Sequence, residues 1–188
     1  MAIPLIAVAV GLTGCASDTT ATTEMPTCPA EGEAANGVIL MAQSVPTATW
    51  LPCMRMSPPL GWDFHHLDAR DGIAKFFLNS DRDGQQAIEV RVEESCDTAG
   101  ATEINSDREG LRRLERVTRT TPNYLGERYY VFEGGCITFV FRLSGESRGE
   151  PLALASQIVG VISRDDLRDQ VHEESGGRLS LDPPSGNG

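Results

Sequence analysis

Lysine is almost absent from this chain: Lys75 stands alone against fifteen arginines. Twenty-seven acidic residues outweigh them, and the formal net charge is −11. That balance argues against a nucleic-acid partner, because such binding is driven by Lys and Arg on phosphates. It also argues against lying flat on anionic lipid and favours solubility or cationic partners. No apolar run reaches the roughly 20 residues that span a bilayer. No two cysteines have the close C-x-x-C spacing of a metal site. No internal repeat is visible. Residues 1–14 carry no charged side chain, although a secretory signal usually opens on Lys or Arg.

What is present begins with the apolar run Ala2 to Leu12, followed by Leu12-Thr13-Gly14-Cys15. Its length suits the apolar core of a secretory signal, with Cys15 just past an ordinary cleavage site. A small-residue triplet ending in Cys also resembles the lipobox of bacterial lipoproteins. The resemblance implies a diacylglyceryl group on the Cys15 sulfur and removal of residues 1–14. Two acyl chains make a stable anchor without a transmembrane helix, so the implied location is the extracytoplasmic face of the cell membrane. Together with the Arg-over-Lys skew of a GC-rich genome, the chain looks like an actinobacterial surface lipoprotein.

Of the 188 residues, 174 remain after the first 14, enough for one domain with a tether. Cys28, Cys53, Cys96 and Cys136 make an even set, which outside the cytoplasm reads as two disulfides. The preferred pairing is Cys28–Cys53 with Cys96–Cys136; three pairings are possible. Closing a loop of about 40 residues should stabilise by roughly 3–4 kcal/mol in the chain-entropy model. Residues 15–32 read as a lipidated Cys and flexible tether, rich in Thr, Ala, Pro and Glu. The globular domain is expected over 33–181 and a frayed tail over 182–188.

Val38, Met41, Ala42 and Val45 share one helical face, which predicts a helix over about 33–44 ended by Pro46. Residues 61–67 alternate as a strand, with Trp62, Phe64 and His66 on one face. Asp83-Gly84 between Ile73–Leu78 and Ala87–Glu93 signals a hairpin. Ser106-Asp-Arg-Glu109 has the form of a capping box and predicts a helix over about 107–117, braced by Glu109–Arg113 and Glu115–Arg119 pairs. Arg128–Glu133 and Cys136–Leu143 read as a second hairpin, the latter strand apolar on both faces and central. Pro151 opens a helix through about Ser163. Ser163 to Asp166 caps another, with Leu167 and Val171 facing inward and Gly176-Gly177 at its end. Arg178 to Leu181 reads as an edge strand. The order predicts an α+β domain, a mostly antiparallel sheet packed by helices. Its architecture is similar to the Mog1/PsbP-like sandwiches that several actinobacterial lipoproteins carry.

Three groups of residues merit chemical scrutiny. Asn79, Asp81, Asp83 and Gly84 match the start of an EF-hand loop, but Val90 stands where the bidentate Glu belongs, so a solvated turn is the simpler reading. His65-His66 with Asp63 and Asp68 suggest zinc, yet adjacent strand residues point to opposite faces; His172, the third histidine, falls on a terminal helix. The aromatics Trp62, Phe64, Phe76, Phe77, Tyr129, Tyr130, Phe132, Phe139 and Phe141 read as core. Tyr129, Tyr130 and Trp62 are the candidates for a half-exposed ligand face. Glu93-Glu94 and Asp165-Asp166 read as wet faces rather than an acid/base dyad. No cofactor is implied. The expected function is a monomeric, non-enzymatic binding module of the cell envelope. The alternatives are a carrier of a lipid or hydrophobic ligand, or a hydrolase using His65, His66 and Asp68.

Overall fold

In the computed structural model the described residues are 19–28, 36–144 and 148–181. The expected signal segment, Cys15 and the 182–188 tail lie outside them. Alternating strands build an antiparallel sheet. They are β1 (Thr20–Thr22), β3 (Trp62–Arg70), β4 (Ile73–Ser80), β5 (Gly84–Glu93), β6 (Thr102–Ile104), β7 (Arg112–Arg119), β8 (Tyr124–Phe132) and β9 (Gly135–Leu143). Their order across the sheet is β1-β3-β4-β5-β9-β8-β7-β6. The two hairpins form as expected, and β9, apolar on both faces, lies between β5 and β8. Sequential antiparallel neighbours with short turns explain most of this order.

A second layer covers the inner face. It holds α1 (Asn36–Ser44), α2 (Gly149–Ile158), α3 (Arg164–Glu174) and a two-stranded sheet of β2 (Trp50–Met54) with β10 (Val159–Ser163). Its main contacts fall on β3, β4, β5 and β9, leaving β7 and β8 at its margin. The core between the layers joins Val38, Met41 and Leu51 to Phe76, Val90, Ile137, Phe139 and Phe141, all 1% exposed or less. The architecture is α+β and mostly antiparallel, as the sequence predicts.

Both disulfides have the expected pairing, Cys28–Cys53 and Cys96–Cys136. The first pins a segment read as tether. Thr20–Thr22 pairs with Leu67–Ala69 at the sheet edge. The Cys28 N–H donates to Met54 O, and the Met54 N–H donates to Pro26 O, each at 2.7 Å. Thr20–Thr22 and Pro26–Cys28 thus belong to the folded unit, ahead of the boundary expected at 33.

Three expectations are corrected. Residues 112–119 form a strand, not a helix. Ser106 does bond the Arg108 N–H, but Gly110 sits at φ +74°, a left-handed conformation that no α-helix continues through. The Glu109–Arg113 and Glu115–Arg119 pairs give way to strand pairings of Glu115 with Arg113 and Arg128. Second, α2 stops at Ile158. The β-branched Val159, Val161 and Ile162 then extend along β2. Gly160 permits this, since a Cβ there would lie 2.8 Å from the Cys28 sulfur. Third, 178–181 form no strand; the Arg178 Nε and the Leu179 N–H donate to Ser175, and Leu181 is buried. The Ser163 cap is present, its hydroxyl accepting from the Asp166 N–H at 3.0 Å, and Leu167 and Val171 are buried.

Candidate functional site

The site with the clearest geometry starts from an irregularity in β3. Phe64 pairs with Leu78 and Leu67 with Phe76, so His65 and His66 share the single partner Phe77. This β-bulge breaks the alternation on which opposite-facing histidines were expected. The two imidazole centroids lie 4.5 Å apart, nearly perpendicular, and the His66 ring lies 4.7 Å from Phe77. His66 Nε2 is 3.3 Å from Asp68 Oδ2. His66 therefore leaves the face of Phe64, whose ring lies 6.2 Å from Phe76 in the core.

Strand β1 supplies the other wall. Ala21 pairs with Asp68, and Ala21, Thr22 and Thr23 line an open groove of about 600 Å³ with His65, His66 and Asp68. That volume is in the range of small-ligand sites. The bulge and the β1 pairing were both invisible in the sequence. A short Thr-Ala-Thr strand held by one edge carries no periodic signal, and a bulge is decided by pairing.

The remaining candidates fall elsewhere. Asp81 to Asp83 form the tight turn between β4 and β5, with Ser80 paired to Gly84. Asn79 donates to Asp63 and accepts from the Gln86 N–H, and Asp83 accepts from Ser80 and from the Ser144 N–H. Among the described residues, no group of three His, Cys, Asp or Glu side chains is disposed to hold a metal ion. His172 lies in the last turn of α3.

Tyr129 and Tyr130 are not a half-exposed face: they are 1% and 0% exposed. Tyr129 lies under Arg116, whose guanidinium carbon is 5.5 Å from the ring, and its hydroxyl donates to Glu127 at 2.8 Å. Burial first, then the bond to Glu127, pushes its pKa up to about 12. Tyr130 donates to Asp107 at 2.9 Å, and burial raises its phenol. Trp62 is half-buried against the core.

No family model, no curated protein and no solved structure matches this chain. No helix among the described residues is long and apolar enough to cross a membrane. The geometry therefore defines the class directly: a two-layer α+β domain braced by two disulfides, with a histidine groove along its β1–β3 edge.

Proposed function

We propose that this chain is a lipid-anchored, extracytoplasmic binding module that presents the His65–His66–Asp68 groove close to the membrane. The observation that carries the reading is the position of β1. It begins five residues after Cys15 and forms one wall of the groove. Five extended residues reach about 18 Å at most, so an acylated Cys15 would hold this edge near the lipid surface. The two disulfides suit an oxidising compartment. The eight-stranded antiparallel sheet, covered on one face by helices and the β2–β10 pair, supports a Mog1/PsbP-like architecture as part of the same proposal.

One observation favours a second reading. The His66–Asp68 contact has the form of a base with its orienting carboxylate, which suits the hydrolase. The test separates them. Purified protein assayed on ester, phosphoester, peptide and glycoside substrates should show no turnover that His66→Ala removes. Turnover lost in that variant would replace the binding module with the enzyme. Intact mass of membrane-extracted protein should show a chain starting at Cys15 with acyl mass added; an unacylated chain retaining residues 1–14 would remove the anchor.

A further inference from the structure

At the opposite margin of the sheet, where the second layer leaves β7 and β8, arginines collect on the inner face. Arg113 on β7 and Arg128 on β8 both donate to Glu115 Oε1, at 2.6 and 2.7 Å. Arg128 also donates to Ser156 Oγ of α2 at 2.6 Å. Asp107 Oδ1 accepts from Arg113 at 3.2 Å and from the Tyr130 hydroxyl at 2.9 Å. Arg108, its guanidinium carbon 5.0 Å from the Tyr130 ring, donates to Val159 O at 2.7 Å. Arg148 precedes α2 and acts on the Tyr124 phenol, as Arg128 does. Three guanidinium groups thus surround two carboxylates, with Arg148 acting on the neighbouring Tyr124, in a chain whose overall charge is strongly negative.

This strip also holds unmet hydrogen-bonding capacity. Six buried side-chain nitrogen or oxygen atoms among the described residues have no partner, and four belong here: Arg108 Nε and Nη1, Arg113 Nε and Arg148 Nε. A buried charged donor without an acceptor is costly, so these half-buried arginines concentrate in one place donors able to take an acceptor from outside the chain. Tyr124 closes one side. Its ring lies across Gly126, where a Cβ would meet the phenol oxygen at 2.6 Å. Burial alone would raise the Glu115 carboxyl, but bonds from Arg113 and Arg128 hold it below its ordinary value. It stays ionised and bridges the two guanidinium groups through one oxygen.

We propose that Arg108, Arg113, Arg128 and Arg148, with Tyr124 and Ser156, form a binding site for a small phosphate ester. Guanidinium forks match phosphate oxygens in pairs, and a dianion balances the excess charge. The net charge of −11 repels a polyanion, which favours a small ligand. Strand β7 lies six strand spacings from β1, about 29 Å. The site thus faces away from the edge assigned to the membrane, which favours a soluble ester over a lipid headgroup.

Calorimetric titration at fixed ionic strength tests this on the full-length chain carrying Cys15→Ser, with inorganic phosphate and phenyl phosphate as probes. Both should bind. Arg148→Gln should weaken binding at least tenfold with unchanged thermal unfolding, and Arg108→Gln should weaken it as much while also lowering the unfolding temperature through the lost bond to Val159 O; Arg178→Gln at the exposed C-terminal turn leaves binding intact. Failure of both probes to bind, or equal binding by the variants, overturns the proposal. Sedimentation with phosphatidylglycerol vesicles, lost in the same variants and without phenyl phosphate binding, overturns it in favour of a headgroup site.

Discussion

Arg164 ties the second layer together through one buried guanidinium, 2% exposed. Its Nε donates to Ala48 O at 2.7 Å, and its Nη2 donates to Ala42 O and Val45 O at 2.8 Å each. These carbonyls lie at and just beyond the end of α1, where helical partners run out and a positive charge is favoured. Arg164→Met should cost about 3 kcal/mol, because buried acceptors lose charged donors. Urea unfolding with an unchanged slope would show it. Arg164→Lys should recover only part, since an ammonium cannot reproduce the planar fork. Tyr129 gives the alkaline counterpart. Its phenol is buried neutral, so its folded pKa lies above the unfolded value near 10. The stability it contributes is fully present below about pH 10 and is lost as pH rises through about 12. Tyrosinate absorbance should therefore show no ordinary transition near pH 10 in the folded protein, since burial raises Tyr124 and Tyr130 as well. A tyrosine titrating there would contradict this burial.

The elements differ in how plainly the sequence announces them. The β4–β5 and β8–β9 hairpins carry their own turn residues and neighbour each other in the chain, so alternation suffices. The Ser163 cap is equally local. Ser106 carries the same capping pattern and fails, because Gly110 takes a left-handed turn and β8 offers Arg113 to Val117 a strand partner. Strands β1, β2 and β10 depend on partners far away in sequence. The candidate groove inherits that opacity, since it needs both β1 and the bulge at His65–His66. The arginine strip was hidden for the same reason, as about 107–117 read as a helix. The cysteines, by contrast, disclosed two disulfides through their even number, while the choice among three pairings came from the fold. Each pair holds a different element. Loops of 25 and 40 residues predict stabilisation of about 3.5 and about 4 kcal/mol. Cys28→Ser with Cys53→Ser should speed amide exchange at Thr20–Thr22 first, because this three-residue strand has little else to hold it. Cys96→Ser with Cys136→Ser should lower global stability instead, since Cys136 lies in the first residues of the central strand β9. Unchanged exchange at β1 in the first variant would show that its pairing with β3 suffices.

Across the whole molecule, the sheet separates two chemically distinct margins. One carries the N-terminal strand and the imidazoles; the other carries the guanidinium strip. Between them, Glu89, Arg91, Glu127 and Arg116 form ion pairs on the outer face, which screen one another and add little stability individually. The anchor proposed at Cys15 would turn this polarity into an orientation. With a spacer of about 18 Å at most, β1 could then not stand far from the bilayer, whereas β6 lies seven strand spacings away from β1, about 34 Å. A fluorophore carried by a non-natural residue at position 22 should therefore transfer energy to acceptor lipids more efficiently than one at position 104. A Gly/Ser insertion of about 20 residues after Ser17 should weaken the difference, because a flexible coil of that length lets the domain tumble. Cys15→Ser should abolish transfer from both positions. Equal transfer from positions 22 and 104 in the unaltered spacer would mean that the sheet lies along the membrane. The arginine strip would then sit within reach of lipid headgroups, and the preference for a soluble ester would lose its geometric basis.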